Sequence, residues 1–197
     1  MSIGNRIFTQ RPAFDVALLE PYQQLPVANI ADTMNRIAVL GNGIRRISSP
    51  VKPVMAGYAI TVKARAGDNL MLHAALDMAT ENDVIVVSNE GDRSRALMGE
   101  IMIAYAHYDR KIAGIVLDGP VRDIDALSVL DFPIFATGSN PAGPFKEGPG
   151  EVNTPHCCRR CRGVSGGFDR GRCGRGDCRP AERCRSAARK SDRIRQL

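Results

Sequence analysis

An α/β domain built on a layered, at least partly parallel sheet is the fold that this sequence predicts. Three observations predict it. Short apolar, β-branched runs, VIVVS and AGIVL among them, have the look of strands buried on both faces. Stretches of helical length lie between those runs, so strands and helices alternate along the chain. Clusters of Gly, Asp, Asn and Pro punctuate the alternation.

The elements follow in order. FDVALLEPYQQL and NIADTMNRIA read as two short helices, with Asn29 or Asp32 available near the start of the second. AGYAITVKA alternates as a strand does. Ala66-Gly67-Asp68-Asn69 makes a turn, and Asp68 or Asn69 is placed to cap the helix LMLHAALDMA. Asp83 leads into the strand VIVVS, and NEGDRS is a polar loop around Gly91. ALMGEIMIAYAHY reads as a helix, AGIVL as a second buried strand, Asp123–Leu130 as a short helix and FPIFAT as a further strand. The stretch GSNPAGPFKEGPGEVNTP is rich in Gly and Pro and predicts a loop over the surface. There is no internal repeat.

The 197 residues suffice for one domain with a core, and 44% hydrophobic with 24% charged is ordinary for a globular protein. No apolar run approaches a membrane span, and the first residues lack the apolar segment of a secretory signal. A cytoplasmic protein without a membrane partner is expected. The formal charge of +6 hints at an acidic partner, but its distribution argues otherwise. Residues 1–156 hold 14 Lys/Arg against 17 Asp/Glu, a net of −3, whereas residues 157–197 hold 13 against 4, a net of +9. All six cysteines lie in that second part too, from Cys157 to Cys184. Two compositions are joined near His156, and the domain itself is not expected to bind nucleic acid.

Ligands of open α/β sheets bind beyond the carboxyl ends of the strands. Two such ends stand out, VIVVS running into NEGDRSRALMGE and GIVL running into DGPVRD. Arg122 carries a planar fork of donors that matches a carboxylate. Asp123 is a hard oxygen ligand suited to Mg²⁺ or Mn²⁺, which take one or two carboxylates and keep several waters. Amides near Gly99 can hold an anion if a helix begins there. Together these groups suit a 2-oxo acid. Plain structural alternatives stand beside them. An Arg-Asp pair is commonly a surface ion pair, Asp123 sits where a helix N-cap is wanted, and Asp118-Gly119-Pro120 is also an ordinary turn. His73 and His107 read as packing or surface residues. Met71, Met78, Met98 and Met102 read as core.

The blocks AGYAITVKARAGDN, DVIVVSNEG, ALMGEIM, AGIVLDGPVRDIDAL, FPIFATGSNP and GEVNTP, in that order, resemble the family that holds 4-hydroxy-4-methyl-2-oxoglutarate aldolase and the regulator of ribonuclease activity A. The resemblance runs from Pro26 to Pro155 and makes residues 1–155 one aldolase-like domain. It implies an α/β/α swivelling-type fold assembled as homotrimers or pairs of trimers. It implies a class II pyruvate aldolase that depends on Mg²⁺ or Mn²⁺, with secondary oxaloacetate decarboxylase activity. Substrate contacts fall on Gly99, Glu100, Ile101, Met102 and Arg122, and the metal on Asp123. Catalytic members carry an acid three residues after the metal-binding Asp. Here that position is Ala126, with Asp125 one residue earlier. The segment between Gly99 and Arg122 is one residue longer than in relatives, around His107–Lys111. Members long labelled as menaquinone-pathway methyltransferases belong to the same family, but no glycine-rich turn for S-adenosylmethionine is present. A regulator without turnover, binding ribonuclease machinery, is the alternative function.

Residues 156–197 form an Arg/Cys-rich tail. Cys158, Cys161, Cys173 and Cys178 offer four thiolates for zinc, but few apolar residues surround them. The arginines supply only the electrostatic half of a nucleic-acid site, and a disordered tail is the third option. A shifted reading frame in the coding DNA accounts for more. GC-rich codons can be chosen whose neighbouring frame gives two strands joined by Pro-Gly-Asp, the continuation that the resemblance implies. From about Pro180 the chain again resembles the family's C-terminal helix.

Overall fold

The computed structural model describes residues 4–11, 15–34, 40, 43–51 and 54–154, with the backbone of 156–158, 161–164 and 167–169. The strands are β1 (Asn5–Ile7), β2 (Arg45–Arg46), β3 (Tyr58–Ala64), β4 (Asp83–Ser88), β5 (Gly114–Asp118), β6 (Ile134–Ala136), β7 (Gly150–Val152), β8 (His156–Cys158), β9 (Cys161–Val164) and β10 (Gly167–Asp169). The helices are α1 (Leu19–Gln23), α2 (Val27–Thr33), α3 (Leu70–Met78), α4 (Glu100–Ala104) and α5 (Ile124–Ser128). Seven strands form one mixed sheet in the order β1-β7-β3-β4-β5-β6-β2. Its centre, β3 to β6, is parallel, and β7 and β2 run antiparallel against β3 and β6. The predicted α/β class with a partly parallel sheet is what the chain adopts. β8, β9 and β10 form a separate antiparallel sheet.

The parallel centre follows from the sequence. Every residue of β4 and of β5 is buried, because helices and loops cover both faces and leave no polar side. Ile60, Val62, Ile85, Val87, Ile115 and Leu117 face the larger core with Leu72 and Leu76 of α3, Ile103 beyond Gly99, and Leu127 of α5. Ala59, Val84, Val86 and Val116 point to the opposite face, where Ile44, Met55 and Phe135 cover them. The period-two alternation of the strands sets this division. At the amino end of β4, buried Asp83 receives the Arg11 guanidinium through two bonds and the Thr80 amide at 2.7 Å.

Three local expectations change, and at α3 one of two offered caps is selected. The stretch expected as a surface loop holds strand β7, paired with β1 and β3 and with Gly150 and Val152 buried. The second helix begins at Val27 with Pro26 at its N-cap, ahead of Asn29 and Asp32, since proline has no amide to leave unsatisfied and fits this boundary. At α3 Asn69 holds the N-cap position without a side-chain cap. Asp68 takes the Leu70 amide instead, at 2.9 Å. The helix expected over ALMGEIMIAYAHY starts only at Glu100. Ala96–Met98 precede it outside any helix, with the Leu97 amide on the Pro120 carbonyl and Met98 bridged to Val121. Their apolar character reflects burial in a non-helical segment, which helical periodicity cannot distinguish over so few residues.

After α4 the chain makes a π-helical turn over Tyr105–Asp109, closed by the Arg110 amide on the Tyr105 carbonyl at 3.0 Å. A single extra residue widens an α-helix into such a turn. His107 stacks there on Phe132, ring centroids 4.8 Å apart. The zinc, nucleic-acid and reading-frame readings of 156–197 turn on side chains that lie outside the described residues.

Candidate functional site

The carboxyl ends of β4 and β5 are neighbours, with Ser88 in register with Asp118. The two loops singled out in the sequence therefore open side by side. The chain bends at Gly119 on leaving β5, and the bend is crowded. A side-chain carbon on Gly119 would lie 2.8 Å from Leu97 Cδ1 and 2.9 Å from Asn89 Nδ2. Only glycine lets the two loops approach so closely. The chain then bridges Val121 to Met98 and Ser139, which fixes Arg122 and Asp123 at the rim.

Asp123 has φ 57° and ψ 43°, the left-handed region, which costs a non-glycine residue of the order of 1 kcal/mol. It occupies the N-cap position of α5 but makes no side-chain cap bond. The carboxylate turns away from its own helix, and Oδ2 accepts the Glu100 amide of α4 at 3.0 Å. The capping role is thus not what this residue performs. Arg122 Nε lies 3.5 Å from the same Oδ2, and both side chains are close to half exposed. Gly99 is the N-cap of α4, and a side-chain carbon there would lie 2.7 Å from Arg122 Nε and closer still to Asp123 Oδ2. The structure therefore brings Gly99, Glu100, Arg122 and Asp123 together. Ile101 and Met102 follow in the first turn of α4, where backbone amides have no acceptor within the helix. The Ile101 side chain is 80% exposed, while Met102 leans on the core and meets Asn69 Nδ2 at 3.4 Å.

Asp125 is exposed on α5, and no contact joins it to Asp123 among the described residues. No group of three or more His, Cys, Asp or Glu converges among the described residues. A cation here would rest on Asp123 with water in its other positions, a donor set that suits Mg²⁺ or Mn²⁺ and not zinc. Asp123 Oδ1 makes no bond to the described residues, so a hard oxygen remains for such an ion.

Sequence reading missed Arg95. Its Nη1 donates to the Gly143 carbonyl at 2.8 Å, and its guanidinium lies 4.0 Å from the centroid of Phe145. Gly143 is also what Arg122 reaches, for a side-chain carbon there would lie 3.5 Å from Arg122 Nη1. No local signal marks this pairing, because the Gly/Pro-rich loop returns to the site from far along the chain. A cleft lies at the opposite, amino end of the sheet, lined by Pro50, Val51, Met55, Ala113, Asp131 and Pro133. Its carboxylate is already bound to the Val51 amide at 2.7 Å, so it offers little chemistry. No described helix is long and apolar enough to cross a membrane.

Comparison with known proteins agrees with this architecture. A protein of Halalkalibacterium halodurans that carries the provisional name 4-hydroxy-4-methyl-2-oxoglutarate aldolase is 34% identical over 149 residues, covering 73% of this chain and 67% of the relative. The chain spans between 60% and 69% of the length of the curated relatives it matches. Two solved structures share the fold. One is Streptomyces coelicolor RraAS2, described as an unusual member of the RNase ES inhibitor RraA family, with TM-score 0.71, 18% identity and 95% of each chain covered. The other is a Geobacillus kaustophilus protein titled S-adenosylmethionine:2-dimethylmenaquinone methyltransferase, with TM-score 0.65, 24% identity, and 73% of this chain and 88% of that one covered. The family model described as RraA-like, Aldolase/RraA, matches residues 27–167, and this chain belongs to that family.

Proposed function

We propose that the chain is a divalent-metal-dependent class II aldolase that cleaves 4-hydroxy-4-methyl-2-oxoglutarate, or a similar 4-hydroxy-2-oxo acid, to pyruvate. Oxaloacetate decarboxylation is its secondary reaction. The observation that carries the proposal is the orientation of Asp123, strained into the left-handed region and turned from its own helix toward Arg122 and the start of α4. The name borne by the Halalkalibacterium halodurans relative supports the substrate class.

The chemistry follows from charge. The substrate carboxylate meets the Arg122 guanidinium and the amides of Ile101 and Met102. Loss of the 4-hydroxyl proton breaks the C3–C4 bond. The electron pair passes to the pyruvate half as an enolate, and the other half leaves as a carbonyl compound. Protonation at C3 then completes pyruvate. From 4-hydroxy-4-methyl-2-oxoglutarate both halves are pyruvate. Oxaloacetate loses CO₂ to the same enolate, so one site serves both reactions. Negative charge grows on the keto oxygen in either case. Arg122 and the amides are fixed before it appears, which is why they stabilise the transition state more than the ground state. A divalent cation at Asp123 supplies Lewis acidity at that oxygen when bound.

The exposed stripe of Ile101, Tyr105 and Tyr108, one helical face beside the site, supports assembly with further copies as a homotrimer or hexamer. Pyruvate release from both substrates, followed with a coupled dehydrogenase, tests the function. Turnover that EDTA removes and Mg²⁺ restores is the expected result. A folded protein that releases no pyruvate from either substrate contradicts it and leaves the regulator.

A further inference from the structure

Asn69 occupies the N-cap position of α3 but gives that helix no side-chain bond. Asp68 takes the Leu70 amide in its place. The Asn69 side chain, 1% exposed, turns inward instead. Its Nδ2 donates to the Leu97 carbonyl at 2.9 Å and lies 3.4 Å from Met102 Sδ, so both of its hydrogens have an acceptor around the start of α4. Its backbone amide donates to the Phe145 carbonyl at 2.9 Å. One residue thus joins the start of α3, the lead into α4 and the Gly/Pro-rich loop.

The lead into α4 is what carries the candidate site. The Leu97 amide donates to the Pro120 carbonyl, and the Met98 carbonyl accepts the Arg122 amide, both at 2.9 Å. Gly99 follows, and α4 opens with Glu100, whose amide binds Asp123. A displacement of Leu97 therefore reaches Arg122 by one route and the amides of Ile101 and Met102 by the other.

The remaining polar atom of this side chain is costly. Asn69 Oδ1 is buried with no hydrogen-bond partner among the described residues. The flipped amide is no remedy, because it would set Oδ1 against the Leu97 carbonyl oxygen with no proton between them. A buried acceptor without a donor lowers stability. An apolar residue would avoid that cost but could not hold the Leu97 carbonyl. Stability given up at a fixed polar contact behind a site is the pattern expected where geometry serves activity.

We propose that Asn69 is a positioning residue, which acts through Leu97 and Met102 to set Arg122 and the α4 amides in the geometry that the enolate requires. The assignment rests on the aldolase reading given above.

Full-length wild type, Asn69→Ala and Asn69→Ser are assayed with Mg²⁺ on 4-hydroxy-4-methyl-2-oxoglutarate and on oxaloacetate, with Tm and the folded fraction measured beside them. Asp68 still caps α3 in both variants, so both are expected to fold. Asn69→Ala should lower kcat per folded molecule by roughly 10- to 100-fold, the cost of a small misplacement of groups around the reacting centre. The loss should be the same on both substrates, because they share the enolate half. Asn69→Ser, with one shorter donor, falls between. Inhibition by oxalate, a planar mimic of the enolate, should weaken more than inhibition by pyruvate, which resembles the ground state. A merely structural role would not separate the two inhibitors. A kcat per folded molecule that stays at the wild-type value in both variants overturns the assignment. So does equal weakening of oxalate and pyruvate, or failure of both variants to fold, either of which makes Asn69 a strut of the core. Wild type that cleaves neither substrate overturns the aldolase reading, and this assignment with it.

Discussion

Asp68 and Asp123 each follow a parallel strand and each precede a helix, yet the fold uses them in opposite ways. Asp68 is 2% exposed, and its carboxylate accepts the amides of Leu70, Glu147 and Gly148 at 2.8–2.9 Å with Arg65 close by. An ionised carboxylate has about four acceptor positions, and this one commits nearly all of them to the chain. It pins the Gly/Pro-rich loop to the start of α3. Asp123 is half exposed, accepts one amide and keeps Oδ1 uncommitted among the described residues, at the expense of left-handed backbone. A carboxylate satisfied by its own chain is structural. One held in a strained geometry with an oxygen to spare is arranged for something that arrives later.

The sharpest way to break this contrast is to remove each carboxylate and follow activity and stability separately. Asp123→Ala should lower kcat/KM by roughly 10³-fold or more, since it removes the carboxylate proposed to hold the cation. Its unfolding free energy should stay within about 1 kcal/mol of wild type, because an exposed hydrogen bond is lost. Arg122→Ala should lower kcat/KM by roughly 10²- to 10³-fold with similarly small change in stability. Urea titration beside the pyruvate assay measures both quantities. An Asp123→Ala protein that is several kcal/mol less stable would make this residue structural like Asp68.

Asp68→Ala is the converse. Three backbone amides would lose their acceptor inside the protein, and roughly 3–5 kcal/mol of stability should go with it. Activity should fall only as far as the folded fraction falls, readable at low temperature or in stabilising osmolyte. A large loss of kcat/KM in a fully folded Asp68→Ala protein would show that the contrast between the two residues is false.

How much of this was legible in the sequence depends on how local each feature is. β4 and β5 were plain, because burial on both faces writes itself as uninterrupted β-branched residues. Arg122 and Asp123 were visible because they are adjacent and end a strand. The direction of Asp123 was not, since the choice between capping α5 and crossing to α4 depends on how closely Gly99 lets the other loop approach. Arg95 was hidden for the same reason at longer range, because its partners Gly143 and Phe145 are brought by tertiary folding alone. The π-helical turn over Tyr105–Asp109 was not legible, because it is defined by the hydrogen bonds alone. The reading-frame proposal for residues 156–179 remains one that resequencing the coding DNA decides, with an uninterrupted frame in independent DNA sinking it.

The smallest expected effect sharpens the contrast through pH. His73 lies on α3, the helix that Asp68 helps to start, and its Nε2 is buried with no hydrogen-bond partner among the described residues. Burial holds its pKa below the usual value near 6.5, the Lys146 charge pushes the same way, and Asp77 opposes them more weakly. The folded state therefore binds fewer protons than the unfolded chain between the lowered pKa and 6.5. The contribution is fully present above pH 6.5 and is lost as pH falls through the folded-state pKa. The structural side of the molecule should thus loosen modestly on acidification, by the protonation of one ring on α3. Replacing His73 with Gln removes the titrating group, so Tm measured from pH 8 to pH 5 should fall less steeply in His73→Gln than in wild type. Identical slopes for the two proteins would show that the acid sensitivity resides elsewhere.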